Sequence, residues 1–147
     1  MKSNCTLHAV CLAGGQQSLD IHSSILHDAE ATVARQQQRN VIGEKGQVVV
    51  KGRIRVPKHA QLTASEQRCR SIMRDGGDKG SRGGRLVAMP TLEITADNVE
   101  CSHGASVTDL DENSMFYLAT RGIERKEARK MLLRGFVFDT LILPECK

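Results

Sequence analysis

Apolar and polar residues alternate along several stretches of the first two thirds of the chain. In "QVVVKGRIRV", residues 47–56, the even positions are apolar apart from Gly52, and the odd positions are mostly basic. A period of two places alternate side chains on opposite faces of a strand, so this stretch predicts a β-strand with one buried face that ends at Pro57. Shorter alternations in "SLDIHSS" and "TLEITAD" predict further strands, and turn sequences such as "AGGQQ" and "GEKG" lie between strands.

The last third of the chain changes to a helical period. Asp109, Asp111 and Glu112 place acidic side chains at a helix start, where they favour the positive end of the helix dipole. Gly122 is a typical helix stop. The predicted helix has an apolar stripe, made of Met115, Phe116, Leu118 and Ala119.

A second helix is predicted from about Glu124 to Arg134, with Gly135 closing it. Its apolar face comprises Ala128, Met131 and Leu132. Two helices joined by a few residues form a helical hairpin. The chain therefore divides into a strand region, residues 1–107, and a helical region, residues 108–147.

The stretch "RDGGDKGSRGGR", residues 74–85, has little to bury and predicts a flexible surface loop between strands. It lacks the residue order of a phosphate-binding P-loop. Together with the basic strand face formed by Lys51, Arg53 and Arg55, it favours one alternative function, a small basic RNA-binding module. The scarcity of aromatic residues removes the stacking platforms on which single-strand binders rely.

Composition limits the class of protein. With 147 residues the chain has the size of one domain, and with three Phe, one Tyr and no Trp its core must be mainly aliphatic. The net charge of +4 suits solubility as well as an anionic partner. We expect neither a membrane span nor a signal peptide. The five scattered cysteines contain no CxxC pair, which favours reduced thiols in an intracellular compartment.

The stretch "NVECSHGAS" contains the candidate chemistry. Cys101 and His103 are two residues apart on a predicted strand, so their side chains share one face and their Cα atoms lie roughly 6.5 Å apart. A thiolate and an imidazole suit zinc or iron–sulfur chemistry. Two ligands leave a four-coordinate site incomplete. The alternative is a buried core thiol beside an edge histidine, and spacing alone leaves both open.

The run "PTLEITADNVECSHGASVTDLDENSMFYLATRGIERKEARKMLLRGF", Pro90 to Phe136, closely resembles the C-terminal part of the SufB/SufD family. These proteins are scaffold subunits of the SUF machinery for iron–sulfur cluster assembly. The elements "CSHGA", "DLDE", "FYL", "RGI" and "EAR" occur in family order. A weaker likeness extends upstream through "GGQQSLDIHSSILHDAEAT" and "GQVVVKGRIRVPKHAQLTASEQ".

This resemblance implies a mainly β fold with an α tail: a partial right-handed parallel β-helix followed by a small C-terminal helical domain. It also implies a non-enzymatic scaffold that pairs with a SufB-type subunit and binds a SufC-type ABC ATPase. The iron–sulfur cluster would be transient and shared with the partner, with none bound tightly by this chain alone. We expect no nucleic-acid or membrane partner, and a plastid stroma or bacterial cytoplasm as the location.

The form "CSHGA" resembles the SufD type, because SufB-type chains carry a His-Glu pair near that point. SufB-type chains also have a cysteine at a position that maps near Gly84 here. The histidine that lies at the SufB–SufD interface of the family maps onto His103, and Cys101 is the neighbouring candidate ligand for metal or cluster. The predicted docking surface for the ATPase comprises Met115, Phe116, Met131 and Phe136.

Overall fold

The computed structural model describes residues 3–73 and 83–141. These residues form seven strands followed by two helices. The strands are β1 (Asn4–Ala13), β2 (Ser18–Leu26), β3 (Val33–Ile42), β4 (Gln47–Val56), β5 (Thr63–Met73), β6 (Arg85–Ile94) and β7 (Val99–Thr108). The helices are α1 (Glu112–Thr120) and α2 (Arg125–Leu141).

The strands form two sheets through which the chain winds. Odd-numbered strands form a four-stranded sheet in the order β1-β3-β5-β7, and even-numbered strands form a three-stranded sheet in the order β2-β4-β6. All neighbouring strands are parallel and in register along their lengths. A chain that alternates between two parallel sheets forms a β-helix-like coil. The predicted mainly β fold, a partial parallel β-helix followed by C-terminal helices, is confirmed.

The apolar core lies between the two sheets. Strand β4 contributes the residues that the alternation predicted, because Val48, Ile54 and Val56 are fully buried and Val50 nearly so. Ile42 on β3 is also fully buried. The predicted end of β4 at Pro57 is confirmed. Strand β6 begins at Arg85, so it is longer than the "TLEITAD" alternation predicted.

The interior face of the four-stranded sheet is partly polar. Gln36, Gln38 and Asn40 on β3, with Gln67 and Ser71 on β5, are all at most 5% exposed. They bond to one another: Gln38 Nε2 donates to Asn40 Oδ1 at 2.8 Å, and Asn40 Nδ2 donates to Ser71 Oγ at 2.9 Å. Buried polar side chains persist when they are hydrogen-bonded in this way. Strands β3 and β5 therefore lack the apolar alternation by which β4 could be predicted.

Helix α1 begins and ends as predicted. The Asp111 carboxylate accepts from the backbone N–H groups of Asn113 and Ser114, which makes Asp111 the N-cap. Gly122 adopts a φ of 80°, and its N–H donates to the carbonyl of Ala119 at 2.9 Å. This left-handed residue ends the helix without the steric cost of a side chain.

The predicted end of the second helix at Gly135 is wrong, because α2 continues to Leu141. Arg39, on the outer face of β3, donates to the Phe136 carbonyl, pairs with the Asp139 carboxylate and lies 4.8 Å from the centre of the Phe136 ring. A glycine inside a helix costs about 1 kcal/mol relative to alanine. Contacts of this last turn with the sheet outweigh that cost, so the helix passes through Gly135.

Two predicted features lie wholly or partly outside the described residues. The first is the predicted glycine-rich loop, of which residues 74–82 lie outside. The second is the chain after Leu141, which includes Cys146. Neither helix in the described ranges is long and apolar enough to cross a membrane.

Candidate functional site

Cys101 and His103 lie on β7, the last strand of the four-stranded sheet. In the described sheet β7 pairs with β5 along one edge, and its other edge has no neighbouring strand. The register places Cys101 beside Ser65 and His103 beside Gln67. Because positions two apart on a strand share a face, both residues occupy the face that β7 turns towards the interior of the coil.

Cys101 is part of the wall of the core. Its side chain is half-buried and packs against the apolar cluster that includes Ile54, Val56, Ala60 and Ala96. Burial raises the pKa of the Cys101 thiol, and a hydrogen bond with the backbone of Ser65 opposes this in part. The thiol is therefore held in its protonated form more firmly than a solvated cysteine, which makes it a weaker metal ligand until its surroundings open.

His103 is exposed at the open edge of the strand. Gly104 follows it, and a side chain at that position would meet nothing within 4 Å. Gly104 lies on the opposite face of β7, so the accessibility of His103 rests on the exposure of its own side chain. The two interpretations of this pair, a working site or a core thiol beside an edge histidine, therefore apply to different residues. Cys101 has the packing of a core thiol, and His103 is accessible.

Cys101 and His103 do not by themselves form a metal site. Across residues 3–73 and 83–141, no group of three or more His, Cys, Asp or Glu side chains converges in a way that could hold a metal ion. Cluster ligation ordinarily needs about four protein ligands. Two donors alone are therefore too few for a cluster site.

The predicted docking residues differ in accessibility. Phe116 is 72% exposed and Met131 is 49% exposed, so both present apolar surface to a partner. Met115 is 5% exposed, so its side chain packs within the chain. Phe136 is half-buried beneath Arg39. The accessible apolar surface of the helices also includes Tyr117, Phe138 and Leu141.

The basic strand face is paired with acidic residues. Glu93 on β6 bonds both Arg53 and Arg55, at 3.4 and 3.1 Å, and Asp20 lies 4.0 Å from Lys51. These contacts neutralise part of the positive surface that the RNA-binding alternative requires. The face is a solvated sheet surface with mixed charge, and it supplies no specific support for that alternative.

Gly84 lies where no side chain fits. It precedes β6, and an added Cβ would overlap the Ile42 side chain and the backbone carbonyl of Gly43. A cysteine at this position would therefore require the wall of the coil to move. This packing agrees with the SufD-like rather than the SufB-like pattern.

The sequence pattern did not predict the interior glutamines, because the residues that hydrogen-bond to one another are far apart in the chain. Gln36 and Gln67 are hydrogen-bonded at 3.0 Å although 31 residues separate them. The register continues from Gln36 to Gln67 and then to His103. Amide-bearing residues that recur at an interval of about one turn of the coil are the signal that could have revealed these register partners.

Family membership follows from comparison with known proteins. The family model described as "SUF system FeS cluster assembly, SufBD core domain" matches residues 1–136. The chain belongs to this family, as the sequence motifs predicted.

Three curated relatives illustrate the match. The chain is 35% identical over 133 residues to the iron–sulfur cluster assembly SufBD family protein slr0076 of Synechocystis, covering 90% of this chain and 28% of the relative. It is 36% identical over 122 residues to the chloroplastic protein ABCI7 of Arabidopsis thaliana, covering 82% of this chain and 24% of the relative. It is 28% identical over 140 residues to the iron–sulfur cluster assembly protein SufD of Escherichia coli, covering 93% of this chain and 31% of the relative. The chain thus spans 24% to 31% of the length of these relatives.

Proposed function

We propose that this chain is a non-catalytic, SufD-like scaffold in SUF-type iron–sulfur cluster assembly. It contributes His103, with Cys101 beside it, to a site for a nascent cluster that a SufB-type partner completes. The cluster is cargo, held transiently between the two proteins. Family membership supports the assembly role, and the relatives that are named SufD support the choice of partner.

The observation that carries this proposal is the position of His103 on an unpaired edge strand. A β-strand with a free edge can accept a strand from another chain, which brings that chain's side chains beside its own. His103 and Cys101 then lie next to the added strand. Because no group of three or more ligands converges within residues 3–73 and 83–141, a shared interface gives these two donors a chemical use.

The decisive experiment compares His103→Ala with His59→Ala in a complex reconstituted with SufB-type and SufC-type proteins. His59 is an exposed histidine on a turn, and it pairs with Asp28 at 3.5 Å, so its substitution is a matched control. We expect His103→Ala to lower the rate of cluster formation at least tenfold, the size typical of losing a ligand or its partner. Complex assembly and thermal stability should stay close to wild type, since His103 is exposed.

Two results would contradict the proposal. Cluster maturation by His103→Ala at the wild-type rate would show that the histidine has no role in the site. An equal loss in the His59→Ala complex would show that the effect is not specific to the edge of β7.

We propose further that the helical region binds the SufC-type ATPase through the accessible apolar residues Phe116 and Met131. Exposed apolar surface of this kind commonly marks a partner site. The test substitutes each with serine and measures ATPase binding by calorimetry. Leu62→Ser is the control, because Leu62 is 61% exposed on a turn away from the helices. We expect at least tenfold weaker binding for Phe116→Ser, and unchanged binding would place the docking surface elsewhere.

A further inference from the structure

A row of buried side-chain hydrogen bonds runs towards β7. Gln36 Nε2 donates to Ser23 Oγ at 2.7 Å, which joins the two sheets across the interior. Gln67 Nε2 then donates to Gln36 Oε1 at 3.0 Å. Gln67 is 5% exposed, yet its Oε1 atom has no hydrogen-bond partner among the described residues. A buried acceptor without a donor is rare in native proteins and calls for an explanation.

The direction of these bonds determines which atom of Gln67 is left over. Gln36 directs its amide nitrogen to Ser23 and its carbonyl oxygen to Gln67, which donates to that oxygen. Gln67 must therefore turn its own nitrogen towards β3. Gly52, opposite on β4, gives the amide its room, because a Cβ there would overlap the Gln67 side chain. The free acceptor of Gln67 is thus the end of an oriented row.

The next position in this row is His103. Gln36, Gln67 and His103 are successive partners in the register of β3, β5 and β7. Neighbouring strands lie about 4.8 Å apart, and register partners in parallel strands project from the same face. An imidazole nitrogen on β7 is therefore within reach of the Gln67 carbonyl oxygen after rotation of the His103 side chain inwards. In the structure as it stands, before any such rotation, the His103 side chain is exposed to solvent.

We infer that Gln67 is a positioning residue for His103. Its Oε1 accepts the imidazole N–H, which selects one neutral tautomer and turns the other ring nitrogen, with its lone pair, towards the open edge. Metal-binding histidines commonly donate their second nitrogen to such an acceptor, which fixes both tautomer and ring orientation. This inference rests on the proposed function, since it gives His103 its form as a ligand. Ser23 and Gln36 hold Gln67 in the orientation that makes this possible.

The test measures the tautomer of His103 in the whole chain without iron or partner. Ring nitrogen shifts of a 15N-labelled sample are recorded about two pH units above the ordinary histidine pKa, where the ring is neutral. We expect one tautomer to dominate in the wild type. Replacing the acceptor by Gln67→Met should shift the tautomer ratio of His103 about three- to tenfold towards that of a solvated ring, the size expected from losing one hydrogen bond.

The matched control is Gln38→Met. Gln38 is 2% exposed, and like Gln67 it has an unpartnered Oε1, but its register partner on β5 is Cys69 and it lies outside the row that leads to His103. This substitution removes an equally buried glutamine, so a general loosening of the coil would appear in it as well. The tautomer of His103 should be unchanged in Gln38→Met.

Two results would overturn the inference. The first is a wild-type tautomer ratio for His103 equal to that of a histidine in a short, unstructured peptide, a measurement that requires no variant to fold. The second is a ratio in a folded Gln67→Met protein that equals the wild-type ratio. The proposed function is judged separately, because cluster formation by His103→Ala can fail or succeed without changing the tautomer in the wild type. In the reconstituted complex, Gln67→Met should slow cluster formation less than His103→Ala does.

Discussion

At the scale of single residues, burial distinguishes the cysteines that composition alone treats alike. Cys5 is exposed, Cys101 is half-buried, and Cys11 and Cys69 are buried. Burial raises the pKa of the Cys11, Cys69 and Cys101 thiols. Neighbouring hydrogen bonds from Ser71 and Asn40 oppose this at Cys69 only in part. Most of these thiols therefore serve as small apolar side chains, the role that the sequence indicated.

Alkylation by iodoacetamide should follow this order. In a Cys146→Ser variant at neutral pH, we expect Cys5 to react first, Cys101 more slowly, and Cys69 and Cys11 slowest. Only the thiolate reacts, and a raised pKa lowers the thiolate fraction at any given pH. Because burial raises the pKa of Cys101, its rate should still rise with pH above the ordinary range of a thiol pKa. Peptide mass spectrometry over a pH series measures both rates, and faster reaction at Cys101 than at Cys5 at neutral pH would refute the assignment.

At the scale of elements, one residue from a distant strand binds the end of α2. Arg39 contacts the carbonyl and ring of Phe136 and the carboxylate of Asp139, and its side chain is 9% exposed. Asp139 is 69% exposed, so solvent screens its ion pair with Arg39. Most of the stabilisation therefore comes from the hydrogen bond to the Phe136 carbonyl and the contact with the Phe136 ring. The end of α2 is thus fixed to the outer face of the four-stranded sheet.

Replacing Arg39 by methionine should loosen the last turns of α2. Loss of the charged hydrogen bond should lower the free energy of unfolding by about 2 kcal/mol, while a similar apolar stem remains. Thermal melting measures the stability, and amide hydrogen exchange of residues 136–141 reports the helix end. Arg35→Met, at an exposed position on the same strand, is the control and should change little. Unchanged exchange in Arg39→Met would mean that α2 is fixed by its apolar contacts alone.

At the scale of the whole molecule, the strands that the structure describes leave sheet edges without a neighbouring strand at both ends of the coil. In the described part of the chain, β1 and β7 are the outer strands of one sheet, and β2 and β6 are the outer strands of the other. Free edges expose unpaired backbone groups, which favours further strand pairing. The candidate site lies on one of these edges, and under the proposed function a strand added there would also bring the remaining ligands.

The isolated chain should therefore bind iron and sulfide weakly or not at all. Cys101 and His103 supply two ligands, and no larger ligand group occurs within residues 3–73 and 83–141. Anaerobic addition of iron and sulfide, followed by desalting, should leave no stoichiometric visible absorption, whereas the complex with a SufB-type partner should retain it. A stable, stoichiometric cluster on the chain alone would refute the shared site.

Local pattern was enough to predict the elements that are stabilised by local chemistry. The apolar even positions of residues 47–56 indicated β4, and Asp111 and Gly122 indicated the limits of α1. The two-residue spacing of Cys101 and His103 was enough to place them on one face of a strand. Family motifs then supplied the β-helix, which periodicity alone did not distinguish from other arrangements of strands.

Tertiary structure decided what depends on residues far apart in the chain. Strands β3 and β5 bury glutamines because each amide finds a partner one coil away, as Gln36 finds Gln67, and no local pattern contains that partner. Helix α2 passes Gly135 because Arg39, almost 100 residues earlier, binds its last turns. The free edge beside His103 likewise exists only once β5 has paired with β7. Propensity and spacing act within a few residues, whereas burial and pairing are properties of the assembled coil.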